Sequence, residues 1–271
     1  MLRTWTGLTI AVSMFLPGLT ADGEDAVPKN PHPHPLAAKQ RQKYRLAFEK
    51  TVAEMTDNLA KNPQNVPSYS RRGDALFFLG RFKEAVADYE KEVQLNPKLN
   101  ASHWQRGIAY FYAGRFKKAA HQFEIYNSID KIDRENGIWR FFSQAKAYSL
   151  KKARKGLLKY KKDDREPFPD VYRLFSQDIS GEAILKKIAA AKIGKSEREK
   201  RLFYAQLYIG LDHALHDRTN LAIKHLRAAV KNTWGPRPKA GYGANYMWHV
   251  GRLHYNRLIE KQRAEKKKRT Q

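Results

Sequence analysis

Residues 66–99, VPSYSRRGDALFFLGRFKEAVADYEKEVQLNPKL, are followed directly by residues 100–133, NASHWQRGIAYFYAGRFKKAAHQFEIYNSIDKID. Each segment is 34 residues long, and the second repeats the pattern of the first. An Arg-Gly pair, the run GRFK, an alanine and an aromatic residue recur in the same order and at one spacing. Apolar residues in both segments also follow the helical period. A fixed period of this length predicts a repeat protein built from stacked helical units.

The recurring small residues fit a helix–turn–helix unit. A glycine where helix A crosses helix B avoids a side chain that would hold the helices apart, and a second glycine in the turn permits a positive φ. The two segments therefore resemble the tetratricopeptide repeat. The resemblance implies an all-α fold whose helix pairs stack in a right-handed superhelix. The repeat-defining positions are Gly73 and Gly107 at the crossing, Gly80 and Gly114 in the turn, Ala85 and Ala119 on helix B, and Pro97 at the end of the first repeat.

A third match and two capping helices complete the predicted helical domain. In residues 203–232, Gly210 takes the crossing position and Ala222 the small position of helix B. Gly210 follows Gly107 by 103 residues, close to three periods, so residues 134–202 have room for two divergent repeats. Residues 44–61 and about 245–260 have helical spacing and are predicted to cover the two ends of the stack. The predicted domain spans residues 44–258, and a basic tail, 259–271, follows it.

The N-terminus has the pattern of an export signal. Arg3 precedes an apolar run of nine residues, and Pro17, Gly18 and Ala21 follow. Residues 1–21 are therefore predicted to be a cleaved signal peptide, with an uncleaved anchor as the alternative. Residues 22–43 are rich in proline and are predicted to form an extended linker. We expect an exported, soluble protein of the periplasm or the extracellular space, without a lipid anchor because the chain has no cysteine.

The net charge of the chain indicates what kind of partner it binds. The 271 residues include 52 Lys and Arg but only 27 Asp and Glu, a net charge of +25. An excess of this size predicts an anionic partner or surface. Most of it lies in residues 146–165, 186–201 and 257–269, outside the two regular repeats. The absence of cysteine also excludes disulfides, Cys-ligated zinc and thiol nucleophiles.

Helix A of each tetratricopeptide repeat lines a concave groove, and aromatic residues fall on this face here. Such a groove suits an apolar or aromatic peptide, because aromatic side chains dominate interface energetics. Two interpretations are open: the groove binds a partner, or the N-terminal or C-terminal helix of the same chain fills it. Arginines at its edge either bind carboxylates of a partner or form surface ion pairs. The predicted protein-binding residues are Phe77, Phe78, Trp104, Ile108, Phe111, Tyr112, Arg71 and Arg106.

Motifs of catalysis are absent from the sequence. His213 and His216 share a helix face beside carboxylates, which suggests a metal site. However, His213 falls at a packing position of the third repeat and Asp217 falls in its turn, so core packing explains both better. We therefore expect no catalytic residue, no metal, no cofactor and no small-molecule substrate.

The segment RGIAYFYAGR, residues 106–115, points to a narrower family. It resembles NlpI, a family of bacterial periplasmic adaptors, and a helix bearing Trp139, a Lys-rich connection and a repeat beginning FYA at Phe203 follow in the same order. The resemblance implies a non-catalytic adaptor that binds murein hydrolases and a protease, and that forms homodimers. The missing lipid-bearing cysteine and the basic C-terminus depart from the family pattern.

Two functions are thus predicted from the sequence. The first is an exported adaptor or scaffold that binds protein partners through the helical-repeat groove, in maintenance of the cell envelope or cell wall. The alternative is a binder of an anionic polymer, such as cell-wall glycan, lipid headgroups or nucleic acid, through the basic segments.

Overall fold

The computed structural model describes residues 34–162 and 164–269. Within these residues the secondary structure is helical and contains no strand, so the predicted all-α fold is confirmed. The predicted signal peptide and the first part of the predicted linker lie outside the described residues. The α-helices of the described part are α1 (Ala38–Lys61), α2 (Val66–Phe78), α3 (Phe82–Leu95), α4 (Trp104–Tyr112), α5 (Phe116–Ile129), α6 (Arg134–Ala147), α7 (Leu150–Lys155), α8 (Phe168–Ser176), α9 (Gly181–Ala190), α10 (Lys195–Leu215), α11 (Thr219–Lys231) and α12 (Tyr242–Arg269).

Most consecutive helices pack against each other, and three of the pairs share one crossing geometry. The pairs α2–α3, α4–α5 and α10–α11 each place a glycine against a large side chain 16 residues later. A Cβ atom added to any of these glycines would lie within 2.7 Å of that side chain, closer than real Cβ atoms approach other atoms. Only glycine therefore permits this approach of helix A to helix B. The pairs are Gly73 with Tyr89, Gly107 with Phe123, and Gly210 with Leu226.

The turns between helices A and B are also alike in the three pairs. Gly80 has a φ of +81° and Gly114 a φ of +77°, as the turn prediction requires. In the third pair the equivalent residue is Asp217, with a φ of 58°. After each of these residues, the next backbone N–H donates to a carbonyl five residues earlier, as from Arg81 to Leu76. This hydrogen bond is that of a Schellman cap, which explains the shared left-handed conformation.

Residues 134–202 are helical but depart from the regular pairs. Helices α7, α8 and α9 have only 6, 9 and 10 residues, against 13 or 14 in α2, α3 and α5. Helix α8 begins at Phe168, within the predicted Pro-Phe-Pro break. Gly137 of α6 again lies where a side chain would not fit, but it faces Tyr160 and Tyr172 of the following segments. The middle thus retains a glycine at a close approach, but the rings that meet it come from a connection and from a short helix rather than from a long helix B.

The third repeat begins earlier than predicted, because α10 starts at Lys195 rather than near residue 203. Arg198 accounts for the added turns. Its guanidinium donates hydrogen bonds to the carbonyls of Ile188, Ala189 and Ala191 at 2.5–2.8 Å. These carbonyls lie at the C-terminal end of α9 and lack partners within that helix, so a cation there is stabilising.

Both ends of the helical domain also differ from the prediction. Helix α1 begins at Ala38, inside the predicted linker, and Leu36 before it is buried. The ring of His34 bonds Asn256 of α12 at 2.8 Å, so the end of the linker packs on the C-terminal helix. Helix α12 continues through the predicted tail to Arg269, because that segment is rich in Lys, Arg, Glu and Ala and has no breaker. Among the helices of the described residues, none is long and apolar enough to cross a membrane.

Candidate functional site

The groove predicted on helices A of the repeats contains the C-terminal helix of the same chain. The ring of Phe77 stacks on Tyr246 of α12, with centroids 5.0 Å apart and planes at 23°. Phe78 lies 4.3 Å from the ring of His249, and Trp104 lies 4.9 Å from that of Tyr246. We call this arrangement of α12 against α2 and α4 the filled groove.

Polar groups fix α12 within the filled groove. The carboxylate of Asp74 accepts hydrogen bonds from the hydroxyls of Tyr89 and Tyr242, at 2.7 and 2.6 Å. Burial raises the pKa of Asp74 to about 6. Arg252 of α12 donates to the carbonyl of Phe78 at 2.6 Å, next to the αL turn of the first repeat. These contacts satisfy polar groups that would otherwise be costly to bury.

The filled groove decides between the two interpretations of the aromatic face. Phe77, Phe78, Ile108 and Tyr112 are buried in the core, so they are not available to a partner as the binding-groove interpretation predicted. The physical reason is that α12 carries its own row of aromatic rings and returns along the same face. Of the predicted apolar set, only Trp104 and Phe111 remain partly exposed.

The predicted edge arginines have separate roles in the structure. Arg106 is buried, and its guanidinium donates to the side chains of Gln122 and Asn100, so its predicted place at the groove edge is wrong. Arg72 makes a bidentate pair with Asp88 at 2.7 and 2.8 Å. Gln122 follows Arg106, and Asp88 follows Arg72, by 16 residues, which is also the interval of the glycine pairs. Arg71 alone of the predicted arginines is exposed.

A cavity of about 360 Å³ remains open between α4, α6, α10 and α12. Its walls are mostly aromatic and aliphatic, and cationic side chains surround its mouth. We call it the aromatic pocket. Its apolar walls include Phe111, Phe116, Phe142, Leu215 and Leu258, and its cations are Lys146, Arg257 and Lys261.

Positive charge predominates among the side chains that line the aromatic pocket. His254 at its wall bonds the hydroxyl of Tyr112 through Nδ1 at 3.0 Å. Burial, together with Arg257 and Lys146, lowers the pKa of His254 to about 3, so the imidazole is neutral at ordinary pH. Asp217 is the one carboxylate among the described residues that line the pocket. The lining therefore carries a net positive charge next to an apolar surface.

A cationic surface adjoins the pocket at the turn of the second repeat. Lys146 also lines a shallow depression of this surface. Lys117 and Lys118 occupy the first turn of α5, where the helix dipole disfavours cations. Glu90 pairs with Arg115 and Lys118, but in residues 34–162 and 164–269 neither Lys117 nor Lys146 makes an ion pair. We call Arg115, Lys117, Lys118 and Lys146 the basic edge.

A smaller cavity of about 150 Å³ lies at the start of α6, beside Trp104 and Trp139. Its polar side is a carboxylate cluster, in which Arg165 pairs with Glu135 at 2.5 Å and Tyr208 donates to the same carboxylate. Burial raises the pKa of Glu135 to about 7. The sequence does not reveal this cluster, because Arg165 lies 30 residues beyond Glu135, in an irregular segment where no period relates them.

The histidines considered for a metal site point to different partners. His216 bonds the backbone carbonyl of Asp212 at 2.9 Å, and Arg154 lies at 3.3 Å from its other ring nitrogen. The ring of His213 instead lies against His225, with centroids 5.3 Å apart, and burial lowers the pKa of His213 to about 4. No group of three potential metal ligands is found in the described part of the chain.

Comparison with known protein families supports the assignment of the first repeat. Residues 66–99 match the family model of the tetratricopeptide repeat. No curated protein matches the chain at a significant level. The resemblance to NlpI stays a prediction from the sequence. Repeats of this kind generally mediate protein–protein interaction and are typically non-catalytic, which supports an adaptor or scaffold role. The part of the chain that the structure describes is thus all-helical, is built of stacked helix pairs and contains a tetratricopeptide repeat at residues 66–99.

Proposed function

We propose that this protein is an exported, non-catalytic adaptor that binds protein partners through the aromatic pocket rather than through the filled groove. The observation that carries the proposal is the aromatic pocket itself. It leaves Phe111, Phe116, Leu215 and Leu258 partly exposed around one cavity. Clustered apolar side chains that stay accessible are typical of interaction sites.

Export to the cell envelope rests on the sequence. The apolar run after Arg3 and the absence of cysteine fit a secreted, unanchored protein. The resemblance to NlpI adds murein hydrolases and a processing protease as candidate partners, and a homodimer as a candidate assembly. Cell fractionation locates the protein: recovery in the periplasm or the medium, after loss of the first residues, supports export, and recovery in the cytoplasm contradicts it.

Site-specific photocrosslinking tests the docking site. Because the chain has no cysteine, a single Leu215→Cys variant can be labelled with benzophenone maleimide at the pocket alone. The matched control is Ile129→Cys, which is exposed at the far end of α5. After illumination in extracts of the producing cells, we expect a defined protein adduct with the pocket label only. Equal adducts from both positions, or none from either, would refute the proposed docking site.

A second candidate function has its own supporting observation, the basic edge. Two cations in the first turn of α5 oppose the helix dipole, so they cost stability that binding of an anionic polymer would offset. Cosedimentation with isolated cell-wall glycan, anionic vesicles and nucleic acid, each at low and high salt, separates this candidate from the first. Binding lost completely at high salt supports the polymer interpretation, whereas partner adducts that survive high salt support the adaptor.

A further inference from the structure

The aromatic pocket holds two kinds of surface that a single ligand must match. Its interior is apolar, with the rings of Phe111 and Phe116 in edge contact at 5.4 Å and Phe142 beside Trp139 at 5.6 Å. An apolar side chain placed there would leave water at a gain proportional to its buried area. The cavity volume of about 360 Å³ admits such a side chain together with the backbone that carries it.

The cations at the mouth of the aromatic pocket would be complemented by a negatively charged group of the ligand. Arg257 is held in position, because its guanidinium donates to the carbonyl of Tyr112 at 3.2 Å and lies over the rings of Phe82 and Tyr112. In the described residues, neither Arg257 nor Lys146 pairs with a carboxylate, whereas Lys261 lies 3.9 Å from Glu265. Two positioned or unpaired cations beside an apolar cavity favour a carboxylate next to an apolar group.

The positive charge continues away from the pocket. Lys146 lines both the aromatic pocket and the depression at the basic edge, where Lys117 is also unpaired in the described part of the chain. A ligand with one carboxylate, such as a fatty acid, uses only the first of these cations. An extended peptide with successive carboxylates can pair with Arg257, Lys146 and Lys117 in order, which favours the peptide.

We propose that the aromatic pocket binds an acidic segment of a partner protein in which a large apolar side chain is followed directly by two or more carboxylates. The apolar side chain fills the cavity, and the carboxylates pair with Arg257 and Lys146 and then reach the basic edge. This inference rests on the proposed adaptor function and names the chemistry of its partner. It places recognition at the turn end of the helices, not on the face that α12 covers.

Fluorescence anisotropy with synthetic peptides tests the proposal on the full chain. The probe is fluorescein-labelled GSGLFEE, and the controls are GSGSSEE, GSGLFQQ with an amidated end, and labelled dodecanoate. We expect the probe to bind and each control peptide to bind at least about tenfold more weakly, since both halves of the ligand contribute. Equal binding of the amidated control, or tighter binding of dodecanoate, would overturn the proposal.

Two substitutions assign the binding to the pocket. Lys146→Gln removes a cation that makes no ion pair in the described structure, so the fold is unaffected, and we expect the probe to bind about fivefold more weakly. Ala214→Phe fills the cavity from its α10 wall and should abolish probe binding. The matched control is Lys239→Gln, an exposed cation outside the pocket, which should leave the affinity unchanged. Unchanged affinity in both pocket variants would also overturn the proposal.

The outcomes separate this inference from the proposed function. If the label at position 215 captures a partner but the acidic probe does not bind, the pocket is a docking site for a different chemistry. If the label captures nothing while the probe binds through Lys146, the pocket recognises acidic peptides without serving the adaptor role. Circular dichroism of each variant, with a melting temperature equal to that of the parent chain, excludes misfolding as the cause of lost binding.

Discussion

The two regular repeats, residues 66–133, and the divergent middle, residues 134–202, solve one packing problem in different ways. In the regular repeats a glycine of helix A always meets an aromatic ring of helix B 16 residues later. In the middle, Gly137 keeps the close approach, but Tyr160 reaches it from a connection and Tyr172 from the short helix α8. The comparison teaches that the small residue is the fixed requirement, whereas the partner can come from any element that supplies a large side chain.

The largest expected effect concerns the two crossing glycines. Gly107→Val places its new atoms against Phe123 and Gln122, which are both buried on a regular helix and cannot move. We expect a loss of about 3 kcal/mol in the free energy of unfolding, as for overpacking in a rigid core. Gly137→Val in the middle should cost less, because the half-buried Tyr160 lies on a connection rather than on a long helix.

Urea denaturation of both variants measures this difference. The comparison between the two regions fails if Gly137→Val costs as much as Gly107→Val. Gly194→Ala serves as the control, because a Cβ atom there meets nothing within 4 Å, and its stability should stay close to that of the parent chain.

Opposite pH dependence is expected of His254, which packs on the second regular repeat, and of Glu135 in the divergent middle. His254, beside the filled groove, has its pKa lowered to about 3 from an ordinary value of 6.5. Its contribution is therefore complete above pH 6.5 and is lost as the pH falls toward 3. Glu135 in the middle has its pKa raised to about 7 from 4.5, so its contribution is complete below pH 4.5 and is lost as the pH rises through 7.

Two neutral variants test this opposition. Relative to the parent chain, His254→Gln should gain stability as the pH falls below 6.5, and Glu135→Gln should gain stability as the pH rises above 4.5. Each relative change should reach about 2 kcal/mol, from roughly 1.36 kcal/mol per unit of pKa shift. Denaturation midpoints between pH 4 and pH 8 measure both, and parallel profiles for the three proteins would contradict the assignment.

A smaller change in stability is expected from substitutions in the turns, where the third helix pair has the same backbone conformation as the regular repeats. Asp217 has the left-handed φ that glycine takes at the other two turns. Asp217→Gly should therefore stabilise the protein by about 0.5–1 kcal/mol, because it relieves the cost of a side chain at positive φ. The reverse change, Gly114→Ala, should destabilise by a similar amount. Thermal unfolding that moves both variants in one direction would disprove the equivalence of these turns.

The smallest expected effect concerns the basic edge. Lys117→Glu replaces an exposed first-turn cation by an anion, which the dipole of α5 favours, so stability should rise by about 0.3–0.5 kcal/mol. The same change should weaken binding of the acidic probe and of any anionic polymer. Lys98→Gln, at an exposed position after α3, is the control. A gain in stability with unchanged binding would show that Lys117 of the basic edge takes no part in binding the ligand.

The regular repeats could be predicted from the sequence because their contacts recur at one interval. The crossing glycines, the turn at Gly80 and the paired-helix fold all follow from that period. The burial of Arg106 does not follow from charge pairing, since its partners Gln122 and Asn100 carry no charge, although Gln122 lies at the same interval from Arg106 as Asp88 from Arg72. The carboxylate cluster around Glu135 and the occupant of the groove depend on contacts between distant segments, which periodicity does not record.

The extents of α1 and α12 were underestimated for a related reason. Proline-rich composition predicts a linker at residues 22–43, and a run of charge predicts a tail at residues 259–271, although neither pattern excludes a helix in residues that contain no proline. Contacts to α12 at Asn256, and from Gln262 to Asn220 of α11, stabilise these helical ends. Such contacts arise from tertiary packing and have no counterpart in local composition.

The filled groove has a consequence for how the chain folds. A solenoid whose units touch only their neighbours can gain structure one repeat at a time. Here Phe77 stacks on Tyr246, 169 residues later in the chain, so the first repeat lacks a wall of its core until the last helix arrives. Synthesis proceeds from the N-terminus, and the aromatic face of α2 and α4 stays uncovered until then. The core of the first repeat is thus completed only when α12 packs against it, and we expect a chain truncated before α12 to expose the aromatic face of α2 and α4 to solvent.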